Sequence, residues 1–478
     1  MVFSSHLFIV YFLPLALLVY YATPARFRAL PLTLLSYLFY GWANPAFVFL
    51  MLFSTVVDYR MGLRIASGQL VEAHDAPRGK RMQRQALILS VVTNLSLLGF
   101  FKYANFGIEN YNALITAAGW ESARWDTALR IVLPLGISFY TFQSMSYTID
   151  VYRREAAPER SFLSFACYVS MFPQLVAGPI VRFHEVAQQL NVRAHSVEKF
   201  ARGIAFFSLG LAKKVLVANP CGQVADTCFD AGAVNSLDAW WGLFAYGFQI
   251  YFDFSAYSDM AIGLGLMLGF VFPKNFDSPY RASSITEFWH RWHLSLSHFL
   301  RDYLYIALGG NRRGAARTYA NLILVMLIGG LWHGASWNFV LWGAIHGGML
   351  ALERTQGKES VYRRLPHVFR VGATFVIVSI AWIFFRAADL PQAWSYLQSV
   401  LGFGAGGDAA ALLSGVLYQP YYVITLAAAA VLTWGAPQTW DFTRELTVPK
   451  AAWCGVALVI SLLVLATQSY NPFIYFIF

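Results

Sequence analysis

Leu322-Ile-Leu-Val-Met-Leu-Ile-Gly-Gly-Leu-Trp-His-Gly-Ala-Ser-Trp337 carries an apolar run from Leu322 to Leu331 straight into an imidazole, His333, and a small-residue turn, Gly334-Ala335-Ser336. An ionisable group at membrane depth is costly enough that its presence points to function. Histidine is also the side chain whose unperturbed pKa suits proton transfer near neutral pH. The apolar sequence continues over 319–352 with basic residues on both sides, which predicts an in-out-in helical hairpin. Its middle, from His333 to Asn338, is expected within or near the outer half of a membrane. Gly309-Gly310, Gly329-Gly330, Gly343 and Gly347-Gly348 supply breaks and close backbone approach. Broken helices are tolerated at that depth only where protein or a water-filled cavity surrounds them, so a cavity is implied.

The composition of the whole chain agrees with this reading. Of 478 residues, 58% are hydrophobic and 13% charged, with a mean hydropathy of +0.50, far from the balance of a soluble domain. Apolar runs able to span, or nearly span, about 30 Å of hydrocarbon occur at 6–22, 28–41, 46–57, 85–101, 130–149, 162–177, 203–218, 237–271, 319–352, 368–386, 419–434 and 452–468. They predict an all-α, polytopic integral membrane protein of ten to thirteen passes, folded as one domain over 1–478. Polar stretches around 60–84 and 178–201 read as loops. Met1-Val-Phe-Ser-Ser-His has no basic region before its apolar stretch, so no cleaved leader is expected.

The net charge of +10 marks topology rather than nucleic acid. Basic residues gather at Arg60, Arg64, Arg78, Lys80, Arg81 and Arg84; at Arg153, Arg154 and Arg160; at Arg182, Arg193, Lys199 and Arg202; from Lys274 through Arg317; and at Arg354, Lys358, Arg363, Arg364 and Arg370. Stretches 217–240 and 387–420 contain neither Lys nor Arg. The positive-inside tendency makes the first set cytoplasmic and the second external, with the amino terminus outside. Run 162–177 has basic sequence on both sides and is expected to be re-entrant or shallow.

A second segment, Glu287-Phe-Trp-His-Arg-Trp-His293, adds two imidazoles. Over 283–308 the pattern predicts one helix or two short ones, with Ser283 or Ser284 as N-cap, Glu287 shortly after, and Phe288, Trp289, Trp292, Leu296, Phe299 and Leu300 on the apolar side. His290 and His293, three apart, are predicted to share a face, as are Glu287 with Arg291 and Arg291 with Ser295. His290 reads as part of an interfacial helix with tryptophan anchors. His293, followed by Ser295, Ser297 and His298, is the better functional candidate. A third segment, Gln249 to Gly265, sets Asp253 and Asp259 in apolar surroundings. Each needs a cation, for which Arg281, Arg291 and Arg301 are the natural partners, and a polar latch between helices is as good a reading as direct chemistry. Gly263, Gly265 and Gly269 permit close packing there.

Metal chemistry is not expected. His290, His293, His298 and His333 superficially resemble the histidine boxes of membrane desaturases, but His6, His74, His184, His195 and His367 lie in loops or near the terminus. No carboxylate or cysteine stands at ligand-like spacing for zinc. Cys167 and Cys454 read as core residues. Cys221 and Cys228 fall in the predicted external loop and are either bridged or free.

The motifs together resemble the membrane-bound O-acyltransferase family. The likeness is carried by Met1-Val-Phe-Ser-Ser with Phe12-Leu-Pro14; Leu133-Pro-Leu-Gly-Ile-Ser-Phe-Tyr-Thr-Phe-Gln143; Phe172-Pro-Gln-Leu-Val-Ala-Gly-Pro179; Tyr251-Phe-Asp-Phe-Ser and Tyr257-Ser-Asp-Met-Ala-Ile-Gly-Leu-Gly265; Ser284-Ile-Thr-Glu-Phe-Trp289; Arg301-Asp-Tyr-Leu-Tyr305 with Leu308-Gly-Gly-Asn; Gly330 to Trp337; and Asn471-Pro-Phe-Ile-Tyr. The resemblance implies a ring-like helical fold with a thin centre, broken and re-entrant helices and a central cavity. It makes His333 the essential histidine and His293 the second; Asp253, Asp259, Arg291, Trp332, Ser336 and Asn338 are supporting candidates beside them. It implies no permanently bound cofactor and acetyl-coenzyme A as acyl donor, with the basic residues from Lys274 to Arg317 as a cytosolic anion-binding rim. The acceptor would be an exported polysaccharide, alginate-like by the resemblance of the two ends. Acetyl would reach it through an extracytoplasmic acetyltransferase of serine-hydrolase type, beside the polysaccharide synthesis and export machinery in a bacterial cytoplasmic membrane. No Gly-x-Ser-x-Gly elbow favours a covalent acyl-enzyme. The competing class is a transporter or channel for an acyl donor or polysaccharide; the inverted repeats with paired broken helices that would mark one are not seen.

Overall fold

Backbone N–H and C=O groups have no water to turn to in hydrocarbon, so a spanning segment must pair them within itself. Helix is the regular structure throughout the residues that the computed structural model describes: 1–125, 130–176, 178–232, 234–357, 364–404 and 408–473. Ala177, Lys358, Arg363 and the motif residues Ile474 and Tyr475 lie outside the described residues. The helices gather into two compact units, one of residues 7–196 with 268–272, the other of residues 2–6, 197–267 and 273 onward.

The first unit comprises α1 Leu13–Ala22, α2 Ala29–Gly41, α3 Ala46–Glu72, α4 Ala76–Ala117, α5 Ile137–Arg153, α6 Phe162–Ser170, α7 Phe172–Leu175 and α8 Phe183–Asn191. A buried carboxylate ties three of them together. Asp58 of α3 accepts from Ser90 Oγ at 2.6 Å, from Asn94 Nδ2 of α4 at 2.8 and 2.9 Å, and from the Ser144 hydroxyl of α5. The stretch 60–84 is not the loop that its polarity predicted. Its charged residues ride on helix ends, and Asp75 caps α4 by accepting from the Arg78 N–H at 3.1 Å, so residues 73–75 alone make the turn. His184, read as a loop residue, stands in the first turn of α8 with Nδ1 2.9 Å from the buried Asp150. At nine residues, α6 is about 13 Å long, too short to cross a membrane, in keeping with the reading of 162–177.

In the second unit α9 Val197–Ala212 passes through a π-helical turn, Lys213–Ala218, into α10 Asn219–Asp230. Then follow α11 Ser236–Met267, α12 Ile285–Trp289, α13 Leu294–Phe299, α14 Ala315–His333, α15 Trp337–Gln356, α16 His367–Arg386, α17 Leu390–Val400, α18 Asp408–Leu417, α19 Pro420–Trp434, α20 Thr439–Phe442 and α21 Val448–Thr467. The stretch 217–240, read as an external loop, and 387–420, read as external, are largely helical among the described residues, since absence of Lys and Arg marks sidedness and not irregular backbone. Cys221 and Cys228 are both buried on α10 and both free. Seven residues along a helix separate them by about 10 Å, beyond disulfide reach. Residues near the two ends of the chain meet here. Asn471 Nδ2 donates to the Ser4 carbonyl at 2.7 Å, Asn219 Nδ2 donates to Gln468 Oε1 at 3.0 Å, and the Tyr470 hydroxyl rests on Asp226.

Five helices, α3, α4, α14, α16 and α21, are long and apolar enough to cross a membrane, while Leu7–Ala22, Ala29–Gly41 and Pro420–Gly435 are apolar but shorter. The twelve apolar runs therefore do not become as many long apolar helices among the described residues. Several are broken, and α11, although 32 residues long, carries Asp253 and Asp259.

The predicted hairpin is α14 and α15, turning at Gly334-Ala335-Ser336. Its seam is made by glycines whose missing side chains let the two backbones touch. A Cβ on Gly330 would lie 2.1 Å from the Phe339 carbonyl oxygen, one on Gly343 2.4 Å from that of Met326, and one on Gly334 2.0 Å from the Phe339 ring. Gly348, by contrast, has nothing within 4 Å. Alanine is the better helix former by about 1 kcal/mol, yet Gly343→Ala should lower the unfolding temperature and the yield of monodisperse protein in detergent. Gly348→Ala should leave both unchanged or raised. Equal behaviour of the two variants would contradict the close seam.

Candidate functional site

His333 is the last residue of α14. Gly334 follows in an extended conformation, its N–H still reaching the Gly330 carbonyl at 3.3 Å. The imidazole is buried and packed edge-on among Trp332, Trp342 and Phe385, with ring centroids 5.0, 5.3 and 5.1 Å away. It also lines a cavity of about 440 Å³, a size suited to a small-molecule site. The walls are largely apolar, built from α13, α14 and α15, with Trp289 and Trp342 among them. His290, His298, Arg301 and Arg354 add polar and cationic groups.

His293 reaches its position by a different route. Ser284 caps α12, its Oγ accepting from the Glu287 N–H at 3.0 Å, and Glu287 reaches back to the Ser283 N–H at 2.8 Å, as the sequence predicts. The Glu287–Arg291 pair also forms, at 2.8 Å. The helix then stops at Trp289, and His293 adopts left-handed backbone angles, φ 44° and ψ 55°. This break overturns the shared face predicted for His290 and His293: His290 is exposed and borders the cavity, whereas His293 is fully buried and does not line it. Three-residue spacing puts side chains together only while the helix continues.

The His293 ring is fixed by Asn275, whose Oδ1 lies 3.2 Å from His293 Nδ1 and accepts from Ser295 Oγ at 2.9 Å, while its Nδ2 donates to Ser258 Oγ at 2.8 Å. An amide in that orientation calls for the proton on Nδ1. The Nε2 lone pair is then buried without a hydrogen-bond partner, able to receive a proton or hold a donor. Trp332 stands between the two histidines, 6.1 Å from the His293 ring and 5.0 Å from that of His333.

The carboxylates have partners other than those predicted. Asp253 pairs with Lys214 at 2.7 Å, both side chains 1% exposed, and Asp259 pairs with Lys213 at 2.7 Å and accepts from Thr439 Oγ1 at 2.7 Å. The arginines are engaged elsewhere: Arg281 donates to the carbonyls of Thr433 and Ala436, Arg291 pairs with Glu287, and Arg301 pairs with Asp302. The π-helical turn brings both lysines of α9–α10 against α11, the latch alternative of the sequence reading. A Lys-Lys pair inside the apolar run 203–218 was the overlooked signal. Asn338 is likewise a latch, its Nδ2 donating to the Ala387 carbonyl at 2.7 Å. Ser336 is the N-cap residue of α15, without a side-chain cap bond.

Besides the two lysines, two further residues escaped the sequence reading. Asn275 has no local motif to announce it. His346 is buried at the centre of the aromatic shell, its Nδ1 accepting from Trp289 Nε1 at 3.3 Å and its ring stacked on Phe288 at 6.2 Å. It braces two residues of the cavity wall, Trp289 and, at 4.8 Å, Trp342.

Residues 153–385 match the profile described as MBOAT, membrane-bound O-acyltransferase family. The chain is 43% identical to the probable alginate O-acetylase AlgI of Azotobacter vinelandii over the full length of both. It is 39% identical to the peptidoglycan O-acetyltransferase of Helicobacter pylori, over 84% of this chain and 80% of that protein. It is 30% identical to the teichoic acid D-alanyltransferase of Streptococcus thermophilus, over 45% of this chain and 55% of that one.

If Lys214 and Asp253 form a latch, Lys214→Met should destabilise the protein by about 3–5 kcal/mol, because it leaves a buried carboxylate uncompensated. Lys214→Met with Asp253→Leu should recover most of that loss in thermal unfolding. A double variant as unstable as the single one would assign Asp253 a role beyond the pair.

Proposed function

This chain belongs to the membrane-bound O-acyltransferase family, and we propose that it passes acetyl groups from a cytosolic thioester towards the hydroxyls of an exported polysaccharide. The observation that carries the reading is His333 in the wall of a 440 Å³ cavity that also presents Arg301 and Arg354. A thioester such as acetyl-coenzyme A has an apolar acylated arm and an anionic head. Apolar walls suit the first, and guanidinium groups suit phosphates. Acetyl-coenzyme A is a substrate here, and no resident cofactor enters the scheme.

In this scheme His333 accepts the proton of an acceptor hydroxyl as its oxygen attacks the thioester carbonyl, and the thiol leaves with a proton returned by the same ring. General-base assistance of this kind contributes a factor of about 10² to 10⁴. His293, held by Asn275 behind Trp332, orients that indole and the groups around it. Its burial away from the cavity favours a positioning role over direct contact with the donor. Asp253, Asp259 and Asn338 support the site by tying helices, and Arg291 by holding Glu287 at the α12 cap. A polymer hydroxyl has poor access to an imidazole at membrane depth. The acceptor that reaches His333 is therefore taken to be a hydroxyl presented by an extracytoplasmic serine-hydrolase-like acetyltransferase, which completes transfer to an alginate-like glycan in concert with the synthesis and export machinery. The names of the relatives support O-acetylation of alginate or peptidoglycan, with alginate favoured by the full-length match. A bacterial cytoplasmic membrane is the location that the family resemblance supports, and the distribution of the basic residues supports an amino terminus outside.

His333→Ala should abolish polysaccharide O-acetylation in cells while the protein still reaches the membrane folded, and His293→Ala should reduce it strongly. His290→Ala should retain substantial activity. Wild-type O-acetyl content in the His333 variant would refute the general-base assignment, whereas thioester turnover with normal transfer to polymer by the isolated chain would refute the need for a partner. All four native cysteines are buried, so a cysteine placed at exposed Arg78 can report sidedness. An impermeant maleimide should label it only after permeabilisation, and labelling in intact cells would invert the topology.

A further inference from the structure

The loop 23–28 that joins α1 to α2 and the segment 192–196 that follows α8 bring two arginines onto one patch of the first unit. Arg28 Cζ lies 5.2 and 5.3 Å from the ring centroids of Tyr20 and Tyr21, and its Nη1 is 3.4 and 3.5 Å from the two ring nitrogens of His195. Arg193 Cζ lies 4.7 Å from the Phe270 ring, and its Nη1 donates to the Tyr20 hydroxyl at 3.2 Å. That hydroxyl in turn donates to the Leu268 carbonyl at 2.7 Å and lies 3.1 Å from His195 Nε2. Gly269, with φ +88°, makes room for the imidazole: a Cβ there would sit 2.8 Å from His195 Nε2. Two guanidinium groups are therefore held in place by aromatic faces and hydroxyls, and neither meets a carboxylate among the described residues.

Cations ordered without a counter-ion are a preorganised anion site. Its border says which kind. Leu18, Tyr21, Phe27 and Leu30 on one side, and Val192 and Val271 on the other, are exposed apolar residues, and α1 and α2 are apolar helices. A soluble anion would gain nothing from such a rim, whereas acyl chains would cover it. We infer that Arg28, Arg193, Tyr20 and His195 bind the phosphodiester head of an anionic phospholipid, with its chains along Leu18, Phe27 and Leu30. Guanidinium groups match a phosphate through paired N–H donors, and basic patches at a cytoplasmic membrane face are a recognised setting for anionic heads.

The test compares wild type with Arg28→Gln/Arg193→Gln in the full-length detergent-purified protein, by native mass spectrometry with added phosphatidylglycerol or phosphatidylcholine. Wild type should retain one phosphatidylglycerol at least tenfold more than phosphatidylcholine, and the double variant should lose that preference. Arg28→Lys/Arg193→Lys keeps the charge and loses the fork and the ring stacking, so it should retain lipid at an intermediate level; it also serves if the glutamine variant does not fold. A competition arm adds inorganic phosphate at millimolar concentration. Displacement of lipid by phosphate, or equal retention by wild type and the glutamine variant, would overturn the lipid site.

Discussion

Contact between the backbones of α14 and α15 is the constraint on which the candidate site depends. Without a hydrophobic drive to join helices in lipid, they associate through close packing and hydrogen bonds. Here Gly330 and Gly334 on one side and Gly343 and Gly347 on the other remove the side chains that would keep them apart. The hairpin then holds His333 at its closed end, with Trp342 of the return helix against the ring. A bulkier seam would open the angle between the helices and with it the cavity wall. The histidine is therefore positioned by what its neighbours lack as much as by what touches it.

The aromatic shell divides labour among the imidazoles. His333 borders a space large enough for a substrate; His293 is walled off behind Trp332; His346 supports Trp289 and Trp342 from beneath. Three buried histidines thus have three environments, although all are apolar and rich in tryptophan. For His293 and His346 a single Nδ1 contact, to Asn275 and to Trp289, sets how each ring is held.

Much of this was legible in the sequence where chemistry is local. The Ser284 cap, the Glu287–Arg291 pair, the α14–α15 hairpin with its glycines, and the cavity implied by broken apolar helices follow from spacing and residue type. What was not legible depends on partners distant in the chain or on a helix ending. His290 and His293 part company because the helix ends at Trp289 and the backbone turns left-handed at 293, and nothing at i and i+3 reveals that. Lys213 and Lys214 outcompete the arginines for the aspartates because a π-helical turn delivers them, and Asn275 reaches His293 across 18 residues. The stretch around Cys221 and Cys228, free of Lys and Arg, reads as a loop but is helical, since sidedness and helicity are separate properties.

The bond from Asn471 to the Ser4 carbonyl spans 467 residues of chain. A ribosome adding about 5–20 residues per second needs roughly half a minute to a minute and a half to make the second partner after the first. During that interval residues 2–6 exist without their native neighbours, while α1 to α8 already have all their sequence except 268–272. The unit that contains His293 and His333 therefore cannot make this tie until residue 471 has been added, long after the site residues themselves have been synthesised.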